Sequence, residues 1–157
     1  MTVSMKRILY PTDFSELSLH AIPYVRELAK AFSGSVYCLH VVDEAYQTWA
    51  PIGPESVPIT VPMEELATIA SEQMTKFVSE HLDGLAPPAE TNVVVGRPFV
   101  EIIAAARQWQ ADVIVMSTHG RGAISHMLLG STTEKVVRKS PCPVMTIRDP
   151  DHEYIAP

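Results

Sequence analysis

From end to end the chain alternates short, continuous apolar runs with segments whose apolar residues recur at spacings of three and four. The runs read as strands buried on both faces, and the periodic segments as helices with one apolar stripe. A connection that holds a helix is too long for a hairpin, so successive strands must lie parallel, joined by right-handed crossovers. The expected fold class is α/β: an open, doubly wound, five-stranded parallel sheet with helices on both faces.

The spacing predicts strands at residues 7–10, 36–42, 91–95, 112–118 and 143–148. Leu17, Ala21, Val25, Leu28 and Phe32 form the stripe of a first helix, capped by Ser15 and stopped at Ser33-Gly34. Pro23 lies inside that stripe, where the missing donor and the crowded preceding turn predict a kink, not an end. Leu66, Ala70, Met74, Phe77 and His81 mark a second helix. Gly96 turns the chain, and Pro98 opens a third helix that faces Ile102, Ile103, Ala106 and Trp109 inward. A short helix at about residues 132–139 joins the last two strands. Pro51, Pro54, Pro58 and Pro62 fall within residues 44–62, which are expected to be a mobile excursion without regular structure. One domain over residues 1–148 and a polar tail over 149–157 are expected.

At 157 residues and 46% hydrophobic content the chain can build one core. Its net charge of −6 offers no electrostatic footprint for a nucleic acid or an anionic membrane, so an anionic ligand must be held by local geometry. The start of the chain lacks the apolar run of a signal peptide, and no stretch approaches the roughly 18 apolar residues of a membrane span. A cytoplasmic protein is expected. Cys38, inside an apolar run, and Cys142, between two prolines, match neither a disulfide framework nor a zinc pattern. His40 and His81 fall in an apolar strand and on a helical face, as hydrogen-bonded boundary histidines do, and no metal cluster held by protein side chains alone is expected.

The segment richest in chemistry is Ser117-Thr118-His119-Gly120-Arg121-Gly122, which leaves a strand, and Gly130-Ser131-Thr132-Thr133-Glu134, which enters a helix. Gly120 and Gly122 allow positive φ and close approach, so backbone N–H groups can converge on phosphate oxygens. The helix start at Gly130, Ser131 and Thr132 adds unpaired N–H groups and a positive dipole end. Ser131-x-x-Glu134 is equally a capping box, and the residues alone leave both readings open. No G-x-x-x-x-G-K-[ST] occurs, and Gly120-x-Gly122-x-x-Ser125 lacks the third glycine of a dinucleotide fingerprint. Asp13, at the exit of the first strand, is placed to meet a base amino group or a phosphate-bound ion, or else to form an Asx-turn. No spacing matches a nucleophile elbow or a known triad, and His119 reads as a loop residue, not a base, and as a candidate for nucleotide contact on the loop that leaves the fourth strand.

KRILYPTDFSE, LHVVD, GRPFVEIIAAA, ADVIVMSTHGRG and GSTTEKVVRKSPCPVMTIR together make the chain resemble the universal stress protein family, over nearly its whole length. In the ATP-binding branch of that family the signature is G-x-x-G, nine residues, then G-[ST]. Gly120, Gly130 and Ser131 occupy its last three fixed positions, and Ser117 replaces the first glycine, beneath the ribose. The resemblance implies strand order 3-2-1-4-5 and an adenine bordered by Pro11, Thr12, Asp13 and the Val41 main chain. It sets Met116 and Ser117 against base and ribose, and Gly120, Arg121, Gly122, Gly130, Ser131 and Thr132 around the phosphates of ATP or AMP. Mg²⁺ or Mn²⁺ bound through phosphate could add Asp13 and Ser131. It implies a regulatory, nucleotide-binding homodimer of the stress response, paired through the edge strand Val144 to Arg148 and acting on a partner protein. The alternative is a family member that binds no nucleotide and works by protein contacts. Hydrolysis of ATP would need a positioned base or water-orienting group, and the sequence identifies none.

Overall fold

A computed structural model describes residues 3–49, 59–119 and 129–150. Five strands form one parallel sheet: β1 (Arg7–Pro11), β2 (Ser35–Asp43), β5 (Glu90–Gly96), β6 (Val113–Ser117) and β7 (Val144–Ile147), in the order β5-β2-β1-β6-β7. In the sequence of the five that is 3-2-1-4-5. The chain winds from β1 outward through β2 to β5, then crosses to β6 and β7, so the order reverses between β1 and β6.

Side chains along β1 and β6 alternate between two cores. Ile8, Tyr10, Val113 and Val115 pack on one face against α2 (Ile22–Phe32) and α3 (Met63–His81). Leu9, Ile114 and Met116 pack on the other against α4 (Pro98–Gln108) and α5 (Ser131–Lys139). Each of these strand residues is almost fully buried, which accounts for the uninterrupted apolar runs. In β2 the side chains of Tyr37, His40 and Val41 are only half-buried.

The first helix divides in two. α1 (Glu16–Leu19) starts at Ser15, whose hydroxyl accepts from the Ser18 N–H at 3.2 Å, and α2 begins after Ala21. Pro23 therefore lies in the first turn of α2, where its missing donor costs no helical bond, and the expected mid-helix kink is a complete break. Ser33, not Gly34, takes the left-handed cap at φ 49°. Gly34 is needed for close approach, because a Cβ there would stand 2.6 Å from the Lys6 carbonyl oxygen.

The described parts of residues 44–62, 44–49 and 59–62, are less irregular than the prolines suggest. A 3₁₀ turn at Glu44–Gln47 leads into β3 (Thr48–Trp49), which pairs antiparallel with β4 (Ile59–Thr60). Pro51, Pro54 and Pro58 lie outside the described residues, as does most of the tail. Cys38 is buried, which pushes its thiol pKa up to about 12, and Cys142 sits in the turn before β7, its N–H bonded to the Ser140 hydroxyl at 3.2 Å.

Candidate functional site

A cavity of about 540 Å³ opens at the carboxyl edge of the sheet, over the switch between β1 and β6. Its size is that of a small-molecule site, and its position is the one that open α/β sheets offer to ligands. Pro11, Thr12 and Asp13 reach it from the exit of β1, Val41 from β2, Met116, Ser117 and His119 from the exit of β6, and Gly130, Ser131 and Thr132 from the start of α5. These residues, separated by more than a hundred positions in sequence, thus meet in one place. Gly120, Arg121 and Gly122 lie outside the described residues.

The wall at β1 is built by an ordered turn. Asp13 Oδ1 accepts from the Ser15 N–H at 3.0 Å, an Asx-turn, so the structural reading of Asp13 and its place in the cavity coexist. The Thr12 hydroxyl accepts from the Phe14 N–H at 3.0 Å and lies 3.0 Å from the buried Ser18 hydroxyl. Tyr10 donates to the Ser18 carbonyl at 2.8 Å, and burial pushes its pKa above the usual range. Phe14 has φ 62°, a left-handed conformation that costs a non-glycine residue roughly 1–3 kcal/mol unless its surroundings enforce it.

Register leaves a main-chain edge open at β2. Peptide groups of alternate residues in a parallel strand point to alternate neighbours. The Leu39 carbonyl accepts from the Thr12 N–H at 2.9 Å on the β1 side, so Val41, two residues on, presents its N–H and C=O to that side as well. But β1 ends at Pro11, and the Thr12 carbonyl is taken by His40 Nδ1 at 2.8 Å. Among the described residues, no backbone group leaving β1 covers the Val41 peptide edge, which lines the cavity.

Across the cavity, α5 starts without a side-chain cap. Gly130 is the N-cap residue and its carbonyl accepts from the Glu134 N–H at 2.9 Å, while Ser131 is already the first helical residue. The capping box read from Ser131 and Glu134 is therefore not formed: Glu134 instead pairs with Arg138 at 3.0 Å. Ser131 and Thr132, the first two helical residues, line the cavity, and the N-cap Gly130 offers their turn no capping side chain, which suits an anion site. Gly130 also serves packing, since its N–H donates to the Thr118 carbonyl at 2.7 Å and an added Cβ would lie 3.3 Å from that oxygen. The Ser117 hydroxyl donates to the His119 carbonyl at 2.7 Å, and Thr133 donates to the Ser117 carbonyl at 3.0 Å.

The third wall reads in the sequence only as helix and core positions, not as part of a site. Leu66, Ile69, Ala70 and Gln73 of α3 face the cavity, with Pro98 and Ile102 of α4 opposite. One signal was present: Ile69 lies off the core stripe of α3 and is 51% exposed, an apolar side chain not explained by the core.

A model of the family described as "Universal stress protein family" matches residues 5–148. The chain belongs to the universal stress protein family. Among relatives, the universal stress protein MJ0531 of Methanocaldococcus jannaschii is 32% identical over 148 residues, covering 94% of this chain and 85% of the relative. Universal stress protein UspA from Lactobacillus plantarum has a similar structure, with TM-score 0.73 and 25% identity over 94% of this chain and all of that one. A universal stress protein from Archaeoglobus fulgidus, solved in complex with dAMP, matches with TM-score 0.59 and 21% identity over 93% of this chain and 99% of that chain, a likeness of fold.

Proposed function

We propose that this universal stress protein binds an adenine nucleotide, ATP or AMP, in the cavity at the sheet switch point, and acts through that occupancy as a regulatory homodimer. The observation that carries the reading is the pairing of two open ends across one cavity: the uncovered peptide edge of Val41 beside Asp13, and the uncapped first turn of α5. Adenine presents an N6 amino donor next to the N1 acceptor, which suits a carbonyl or carboxylate beside a peptide N–H. Phosphates suit the Ser131 and Thr132 N–H groups and hydroxyls. Met116 and Ser117 line the same cavity and are assigned by the family resemblance to base and ribose, as Gly120, Arg121 and Gly122 are to the phosphates. The complex of the Archaeoglobus fulgidus protein with dAMP supports the reading at the level of the fold.

Among the described residues no group of three His, Cys, Asp or Glu side chains is placed to hold a metal ion. Mg²⁺ or Mn²⁺ would therefore be carried chiefly by phosphate and water, with Asp13 or Ser131 as auxiliary oxygens. No described helix is long and apolar enough to cross a membrane. β7 pairs with β6 alone among the described strands, and the second protomer is assigned to its outer edge.

Mass spectrometry of protein denatured directly after purification should release ATP or AMP, and calorimetric titration of stripped protein should show saturable ATP binding. Protein that carries no nucleotide and gives no ATP isotherm would return the family member to a role in protein contacts alone.

A further inference from the structure

The turn after β1 holds a left-handed phenylalanine beside the cavity, and its ring is clamped on two sides. Phe14 stacks on His40 with ring centroids 4.2 Å apart and meets Phe77 of α3 edge-on at 5.3 Å. Phe77 in turn contacts His81 at 4.9 Å. His40 lies between Leu39 and Val41, and its Nδ1 reaches the Thr12 carbonyl at 2.8 Å, a partner that only an N–H can satisfy. The histidine side chain thus occupies the acceptor that a continuing ladder would have offered to the Val41 N–H. The same clamp holds Phe14 at φ 62°, and with it the turn that fixes Asp13 Oδ1 on the Ser15 N–H.

We propose that Phe14 and His40 are positioning residues that hold β1's exit away from Val41, keep the slot between Asp13 and the Val41 peptide open, and thereby set the preference for adenine over guanine. The inference rests on the nucleotide reading above and deepens it. Adenine offers an amino donor where guanine carries the O6 acceptor, so a carboxylate and carbonyl held at a fixed separation from a peptide N–H accept the first and repel the second. A turn free to move can retract the mismatched acceptor, and discrimination falls while phosphate binding at α5 remains. His40 also lines the cavity, and its part in the device is the bond to the Thr12 carbonyl, while Phe14 acts through the stack on its ring.

Two substitutions separate the parts. His40→Phe keeps a ring for stacking but deletes the donor to Thr12, and Phe14→Leu keeps an apolar side chain but removes the stack. His40→Asn restores a donor near the Nδ1 position, and Phe14→Tyr restores the ring. Dissociation constants for ATP and GTP are measured by calorimetry on stripped protein, alongside thermal denaturation of each variant. The ATP-to-GTP preference is expected to fall about tenfold in His40→Phe and Phe14→Leu, the scale of one hydrogen bond to a charged group, and to recover in the two conservative variants. A purely structural role would lower the melting temperature and leave the preference unchanged. A wild type that prefers ATP, with both variants holding that preference within about twofold, overturns the inference alone, as does a wild type that binds both nucleotides equally. A wild type that binds neither overturns the nucleotide reading as well.

Discussion

Asp112 shows how single side chains hold the site in place from a distance. At the other end of β6, its Oδ2 accepts from the Ser4 hydroxyl at 2.9 Å and from the N–H groups of Lys6 and Arg7 at 2.8 and 3.0 Å, tying the start of β1 to β6. Desolvation works to raise its pKa, but the hydrogen bonds from Arg7, Ser4 and Lys6 and the Arg7 charge together hold it below the usual carboxylate value. A depressed folded-state pKa stabilises the fold above the unfolded value of about 3.9, and that stabilisation is lost as pH falls through the folded value. Asp112→Asn copies the protonated group. It should lower the melting temperature at neutral pH by about 2–4 °C, the effect of on the order of 1 kcal/mol after solvent screening. The gap to wild type should narrow as pH falls through the folded-state value and the carboxyl is protonated too; circular dichroism melts of both proteins across the acid range check it. Ser117 is the residue where sequence and structure speak most differently. Its position suggests a side chain thrust toward a ribose, whereas its hydroxyl is turned onto the His119 carbonyl, a local competition open to any serine beside an irregular loop.

At the scale of elements, β1 and β6 were legible because burial on both faces leaves no polar interruption, β5 by its Val93-Val94-Val95 run although it is largely exposed, and the helices because each has one apolar stripe. The boundaries were less so. Pro23 is compatible with a kinked helix or with the first turn of a new one, and only the packing of Ile22 and Val25 onto the sheet selects the second. Hydrogen bonds at β7 define the element with the clearest test. The Pro143 carbonyl accepts from Ile114 and the Ile147 carbonyl from Thr118, so residues 143, 145 and 147 bond to β6. Val144 and Thr146 then point their peptide groups outward, away from the sheet. Proline is tolerated on an edge strand where the lost donor faces outward. Thr146→Pro should therefore leave the fold intact and abolish the homodimer assigned to this edge. Multi-angle light scattering should give a dimer for wild type and a monomer for the variant at micromolar concentration; a monomeric wild type would remove the edge from the assembly.

On the scale of the whole molecule, the cavity gathers its walls from four helices and the exits of three strands, and that convergence is what a linear reading resolves least. Asp13, Ser117 and Gly130 could be singled out because strand ends and glycine spacing leave marks in the sequence, and Val41 only through the family resemblance. Gln73 and Ile102 could not, since their presence at the cavity depends on how α3 and α4 tilt across opposite faces of the sheet. Because the walls come from both layers, a nucleotide seated there bridges the two cores, and binding must stabilise the molecule as a unit. A ligand that binds only the folded state at 100 times its dissociation constant adds about 2.7 kcal/mol. For a chain of this length, each kcal/mol corresponds to roughly 2–4 °C, so ATP should raise the melting temperature of stripped protein by about 5–10 °C. The rise should follow the logarithm of ATP concentration and be smaller with GTP, and differential scanning calorimetry measures both. A nucleotide held only by the α5 end would give equal shifts with the two bases, because phosphate binding is blind to the base that our proposal assigns to Asp13 and Val41.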